Sequence, residues 1–147
     1  MQIESRVFLT YTDTTIGFVS QSAKNIDKIK QRPSDKSYIT ALPSLKALKL
    51  FTRVPTKYKN RVRRAKATTY IYPNGKSYRV IKDTPHNNIL NRVGWLYTTS
   101  ANLSGEEYNR EFAIKVADVI VSYPTTSNNQ KASSIFKIND MNIKKIR

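Results

Sequence analysis

The segment ATTYIYPNGKSYRVI, residues 67–81, sets two β-prone runs on either side of Pro73-Asn74-Gly75. An Asn-Gly pair supplies the positive φ angles of a tight turn, so this stretch is expected to form an antiparallel hairpin. Other β-branched and aromatic runs, at 5–11, 15–21, 37–42, 95–99, 117–123 and 134–138, read as strands. Helical patterns lie between them. Residues 23–31 place Ile26 and Ile29 three apart among lysines and must stop before Pro33. A second helix is expected from Ser44 to Val54, with Leu45, Leu48, Leu50 and Phe51 on its apolar side. Helices are also expected over 57–64, over 86–93 and after a loop at 100–111, and residues 125–133 read as a polar loop. Strands mixed with short helices predict an α/β domain around a mixed sheet. The chain has 147 residues, no repeat and no long linker, so residues 1–147 are expected to form one domain.

Composition removes several chemistries. There is no cysteine, which excludes a disulfide framework, cysteine-ligated zinc and a catalytic thiol. The one histidine, His86, follows a proline at a helix start and reads as surface structure. With 4 glycines, neither GxGxxG nor GxxxxGK[ST] occurs. No apolar run approaches the ~20 residues of a membrane span, and the first residues lack a signal-peptide pattern. A soluble, cytoplasmic domain without membrane partners is therefore expected.

The charge is unevenly spread. The chain carries 26 basic and 10 acidic residues, a net of +16. From Lys36 to Lys82 there are 13 basic residues and no acid. The densest part runs through Lys57, Lys59, Arg61, Arg63 and Arg64. Such a block attracts polyanions, and tRNA, DNA, ATP or an acidic protein would each answer to it.

Three polar clusters interrupt the apolar pattern: Thr12-Asp13-Thr14-Thr15, the segment from Lys30 to Lys36, and Thr98 to Gly105. Beyond strand ends in α/β sheets, hydroxyls and amides meet ribose and phosphate oxygens while Lys and Arg supply charge. The same residue types also make turns and helix caps, and Asp13 reads as a turn residue before a magnesium ligand.

Taken in order, YTDTTIGFVSQ (11–21), KQRPSDK (30–36) and TTSANLSG (98–105) resemble the YrdC/TsaC family, the threonylcarbamoyl-AMP synthase domain. That family carries a Pro-Thr-Asp/Glu-Thr segment, a Lys-x-Arg element and a Ser-x-Asn element. Residues 68–73, 77–80, 132–138 and 143–147 extend the resemblance over nearly the whole chain. Tyr11 stands at the family's first proline, and Lys66-Ala67-Thr68 stands at its Pro-Gly-Pro turn.

The resemblance implies a twisted, largely antiparallel mixed sheet flanked by helices, with a concave basic surface. It implies a nucleotidyltransferase that condenses L-threonine, bicarbonate and ATP into threonylcarbamoyl-adenylate with release of pyrophosphate. Magnesium would arrive with the triphosphate, and no resident metal site is expected. The product would feed tRNA threonylcarbamoyladenosine modification through a threonylcarbamoyl-transfer machinery. Carried over by position, Lys30, Arg32 and Lys36 would hold ATP phosphates, with Lys30 and Arg32 acting in catalysis. Ser100, Asn102 and Arg147 would contact the nucleotide, and Thr14, Arg79 and Ser133 the threonine. Two alternatives stand beside this one. The first is a non-catalytic domain binding tRNA or double-stranded RNA through Lys57, Lys59, Arg61, Arg63 and Arg64. The second is a nucleotide-binding accessory protein.

Overall fold

A computed structural model describes residues 2–33, 37–121 and 131–147. The β-prone runs near the start form β1 (Phe8–Tyr11) and β2 (Ile16–Ser20), an antiparallel pair closed by the turn at 12–15. Helix α1 (Ala23–Lys30) follows at once. The Ser22 hydroxyl accepts from the Asn25 N–H at its start, and Gln31, at φ 52°, reverses the chain at its end. Strand β3 (Ile39–Leu42) leads into α2 (Leu45–Leu48), capped by Ser44. The helix expected to run to Val54 stops at Leu48. The N–H groups of Leu50 and Phe51 return three residues back, to Ala47 and Leu48, so the last turn tightens and the chain leaves the helix ahead of Pro55, whose missing N–H bars helix past Val54 in any case. Leu50, placed on the apolar side by periodicity, is 85% exposed as a result. A short 3₁₀ turn (Thr56–Tyr58) then precedes α3 (Lys59–Arg64).

The hairpin forms as β4 (Thr68–Ile71) and β5 (Ser77–Val80), but its turn differs from the expectation. Only Gly75 has a positive φ, at 81°, and the loop holds three residues, with the Tyr72 N–H donating to the Lys76 carbonyl. A two-residue Asn74-Gly75 turn would pair Pro73 with Lys76, but Pro73 has no N–H to donate, so the pair closes one step out, at Tyr72, around a three-residue loop. Helix α4 (His86–Val93), β6 (Leu96–Ser100), α5 (Arg110–Val116), β7 (Val119–Ile120), β8 (Ser134–Ile138) and β9 (Ile143–Lys145) complete the described elements. Of the strand expected over 117–123, residues 119–120 pair, and 122–123 lie outside the described residues, as do 125–130 of the expected polar loop.

The sheet order is β7-β1-β2-β6-β3-β5-β4-β8-β9. Five of its described pairings are antiparallel and three parallel, a mixed and mostly antiparallel sheet. Register divides the central strands between two faces. Thr40 pairs with Tyr78 and Tyr97 on one face, while Ile39, Thr98, Ala41 and Arg79 share the other. Ile26 of α1 and Ala113 of α5 pack with Leu9 and Phe18 on the first face, where Leu45, Leu48 and Val62 also cover Leu42 and Val80. Leu90 of α4 packs with Phe8, Val19 and Leu96 on the second.

Candidate functional site

Antiparallel register brings the beginning of β2 and of β3 to the end of β6, with Gly17 opposite Ser100 and Ile39 opposite Thr98. Glycine is required at 17, because a β-carbon there would lie 2.6 Å from the Thr99 carbonyl oxygen. At this end of the sheet a cavity of about 300 Å³ opens, lined among others by Thr14, Arg32, Arg79, Ser100, Ser133 and Arg147. Six side chains expected at a ligand site from separate parts of the chain thus face one space. No Asp or Glu side chain lines it among the described residues. Lys36 lies outside the described residues.

The Thr12–Thr15 turn is held by its own hydroxyls. Thr12 Oγ1 donates to the Thr15 carbonyl at 2.7 Å and accepts from the Thr14 N–H at 3.2 Å, which fixes Thr14 against the cavity. Between them Asp13 does more than turn the chain. Its Oδ1 lies 3.1 Å from Arg79 Nη2, with the side chains of Asp13 and Arg79 only 7% and 5% exposed. Burial pushes the Asp13 carboxyl up and the Arg79 guanidinium pulls it back, burial being the larger influence. Arg79 Nε is buried without a hydrogen-bond partner among the described residues. The ion pair therefore sets the guanidinium at the cavity wall without using all its donors.

Arg32 is positioned by stacking rather than by an acid. Its guanidinium lies 4.4 Å above the Tyr38 ring, and Nη2 reaches the Ser37 carbonyl at 3.4 Å. Tyr38 is itself anchored, its hydroxyl donating to Asp27 Oδ1 on α1. Burial first, and then the Asp27 contact, raise the Tyr38 phenol above its ordinary range. Sequence patterning singles out neither Tyr38 nor Asp27, because the two meet only when β3 lies beside α1. On the far wall Arg147 donates from Nε and Nη2 to the Ser133 carbonyl, at 3.1 and 2.8 Å. The Ser133 hydroxyl pairs with Thr69 Oγ1 at 2.9 Å.

Lys30 and Asn102 do not line the cavity; they build its edge. Lys30 Nζ is buried and donates to the carbonyls of Ser100 and Asn102 at 2.8 and 2.7 Å. Asn102 accepts from the Ser100 hydroxyl and donates to the carbonyls of Leu103 and Glu106, at 2.8 and 2.7 Å. The Ser-Ala-Asn segment is thus pinned from the end of α1. Burial, and after it the Arg32 guanidinium, lower the Lys30 amine to about 8.

His86, read from sequence as surface structure, is buried at 1% exposure, and neither ring nitrogen has a partner among the described residues. The structure turns the residue after Pro85 inward as α4 packs on the sheet. Burial first, then the Arg79 charge, lower its pKa to about 4. Between pH 6.5 and 4 the unfolded chain therefore binds a proton that the folded chain refuses, and stability falls as pH falls. Acidification from pH 7 to 4 is expected to remove about 3 kcal/mol through this residue. Urea titrations of His86→Leu, compared with the parent, should show that pH-dependent loss abolished.

Of the cations proposed for RNA, Lys57, Arg61, Arg63 and Arg64 are exposed, and Lys59 is partly buried. None lines the first cavity. Arg61 lies 5.0 Å over the Phe136 ring, and Arg64 lines a second cavity of about 460 Å³ together with Lys66, Lys82 and Asp13. No helix among the described residues is long and apolar enough to cross a membrane.

The fold has counterparts. The family model Sua5/YciO/YrdC, described as "Telomere recombination", matches residues 7–147. An uncharacterized protein of Mycoplasma genitalium, MG259, is 35% identical over 103 residues, 65% of this chain. The chain spans only 20% of the length of that relative. Among solved structures, Sua5 of P. abyssi complexed with L-threonine superposes with a TM-score of 0.78 at 15% identity, covering 98% of this chain and 50% of that one. Full-length HypF in its phosphate- and nucleotide-bound form gives a TM-score of 0.76 at 14% identity, over 98% of this chain and 27% of HypF. The two solved structures share the fold, and the match over 7–147 extends it to sequence: the chain belongs to the Sua5/YciO/YrdC family.

Proposed function

We propose that this chain makes threonylcarbamoyl-adenylate from L-threonine, bicarbonate and ATP, releasing pyrophosphate, for modification of an adenosine in tRNA. The observation that carries this reading is the cavity itself, where Arg32, Arg79 and Arg147 share a space with hydroxyls and no Asp or Glu side chain lines it among the described residues. Both ligands demand that arrangement, since an amino acid presents a carboxylate and ATP a polyphosphate. The bound threonine of P. abyssi Sua5 and the nucleotide and phosphate of HypF support it by analogy of fold.

In this mechanism the threonine amine adds to bicarbonate with loss of water, giving a carbamate. A carbamate oxygen then attacks the α-phosphorus of ATP, and the bond to the bridging oxygen breaks as pyrophosphate leaves. Arg79, fixed by Asp13, holds the threonine carboxylate beside Thr14 and Ser133. Arg32 and Arg147 meet the phosphates, and Lys30 holds the Ser100–Asn102 edge that contacts the nucleotide. Preorganised cations and positioning carry such a transfer without a protein nucleophile. Among the described residues no group of three or more His, Cys, Asp or Glu side chains gathers that could hold a metal ion. Magnesium belongs to the substrate, as Mg·ATP.

Pyrophosphate release measured with purified protein should require both threonine and bicarbonate. Release indifferent to threonine would overturn the substrate assignment. Nucleotide binding without any release would favour an accessory protein instead.

A further inference from the structure

The opposite face of the sheet carries a second kind of cavity. Thr40, Tyr78 and Tyr97 share the face turned away from Arg79, and between the start of α1 and the chain after α2 they floor a cavity of about 250 Å³. Its walls are aromatic. Phe51 lies 6.1 Å from Trp95 and 6.0 Å from Tyr78, Trp95 lies 4.9 Å from Tyr97, and Tyr38 lies 6.3 Å from Tyr97. Phe51 is 39% exposed, and the exposed Lys76 of the hairpin stands among the lining residues.

Chemistry narrows the occupant. Aromatic walls bind flat rings or organic cations. Lys76, and the lack of any lining carboxylate among the described residues, disfavour a cation. Ser37, Tyr38, Thr40, Phe51, Lys76 and Tyr78 all come from the stretch between Lys36 and Lys82, which holds 13 basic residues and no acid. Lys49 and Arg53, both exposed, flank Phe51 along the chain. A flat ring attached to a run of negative charge satisfies both features; a mononucleotide would use the rings and Lys76 and leave the remaining cations of the block unanswered. We infer that this aromatic cavity takes an unpaired base of a single-stranded nucleic acid, with the flanking phosphates at Lys76 and the basic block. Stacking on half-exposed rings within a cationic surface is how single strands are held without sequence readout. Ser37 and Tyr38 line both cavities, but Thr40, Phe51, Lys76, Tyr78, Trp95 and Tyr97 line this one and not the first, so the inference does not rest on the adenylate-forming reading.

The chain contains one tryptophan, Trp95, so its fluorescence reports occupancy of this cavity directly. A single-stranded ribo-octamer should quench Trp95 saturably, with affinity falling as salt rises. Phe51→Ala should weaken binding about 5- to 100-fold. Lys76→Glu, a change at an exposed loop position, should weaken it and flatten the salt dependence. Arg147→Ala, at a residue that lines the first cavity and not this one, should bind the octamer like the parent, which separates this test from the adenylation test. No quenching, equal quenching by AMP at the same nucleotide concentration, or undiminished binding by Phe51→Ala would each overturn the proposal. Tighter binding of a duplex of equal length without a change in Trp95 would do so as well.

Discussion

Replacing Arg79 with methionine should cost the folded protein about 3–5 kcal/mol near neutral pH and abolish threonine-dependent pyrophosphate release. The two losses have one origin. Arg79 is buried opposite Asp13, and its removal strands a carboxylate where burial already raises the carboxyl above its ordinary value. With the guanidinium gone, the opposing pull disappears and the carboxyl rises further. A folded-state pKa above the unfolded one means that stability is lost as pH rises through it and regained as pH falls. The deficit of Arg79→Met should therefore shrink toward pH 4, and the double change with Asp13→Asn should recover much of it at pH 7. Activity should not return in the double variant, since the proposed carboxylate partner is still missing. Chemical denaturation of the parent, Arg79→Met and the double variant at pH 4.5 and 7 decides the matter. Arg79→Met within 1 kcal/mol of the parent at pH 7 would contradict the buried pair.

Lys30→Met should be nearly as damaging, by a different route. The carbonyls of Ser100 and Asn102 would lose their shared donor inside the protein, at about 2–4 kcal/mol for two abandoned acceptors. The Ser100–Asn102 edge would loosen, so turnover should drop while threonine still binds the intact Asp13–Arg79 side. A lysine pKa near 8 adds a signature. Between about pH 8 and 10.5 the unfolded chain holds a proton at Lys30 that the folded chain has released, so stability rises with pH across that window. The parent should therefore gain stability relative to Lys30→Met between pH 8 and 10. A constant difference between the two proteins would show that Lys30 does not titrate there.

Local chemistry in the chain accounts for much of the architecture. Helix α1 is capped by Ser22 and stops before Pro33, β4 and β5 flank the Pro-Asn-Gly loop, and α4 begins at Pro85 as patterning indicates. Where the structure departs from patterning, backbone hydrogen bonds decide. Leucines and Phe51 at helical spacing suggest eleven residues of helix, but the N–H groups of Leu50 and Phe51 turn to carbonyls three residues back, which ends the helix at Leu48 and leaves Leu50 in solvent. Asn-Gly suggests a two-residue turn with two positive φ angles, but Pro73 has no N–H to close it, and the three-residue loop that forms needs a positive φ at Gly75 alone. Ala67, standing where the family has the glycine of its Pro-Gly-Pro turn, still takes φ 48°, a backbone that costs a β-carbon ~1 kcal/mol.

Read alone, the chain yields the order of its helices and of strands β1 to β8, the acid-free basic stretch, and three polar motifs that match the family; β9 carries no strand signal of its own and forms only by pairing with β8. Those readings are properties of neighbouring residues, set by dihedral preference, side-chain spacing and charge. What each polar residue does emerges only once the sheet is assembled. Lys30 and Asn102 became the support of the site's edge, Arg32 found Tyr38, and Asp13 and Arg79 paired across 66 positions of chain. His86 went inside, and five aromatic residues scattered from Tyr38 to Tyr97 closed around one cavity. The reason is that sheet register sets these contacts. Strands adjacent in the sheet are distant in sequence, and a one-residue slip would carry Arg79 to the face that now holds Tyr78.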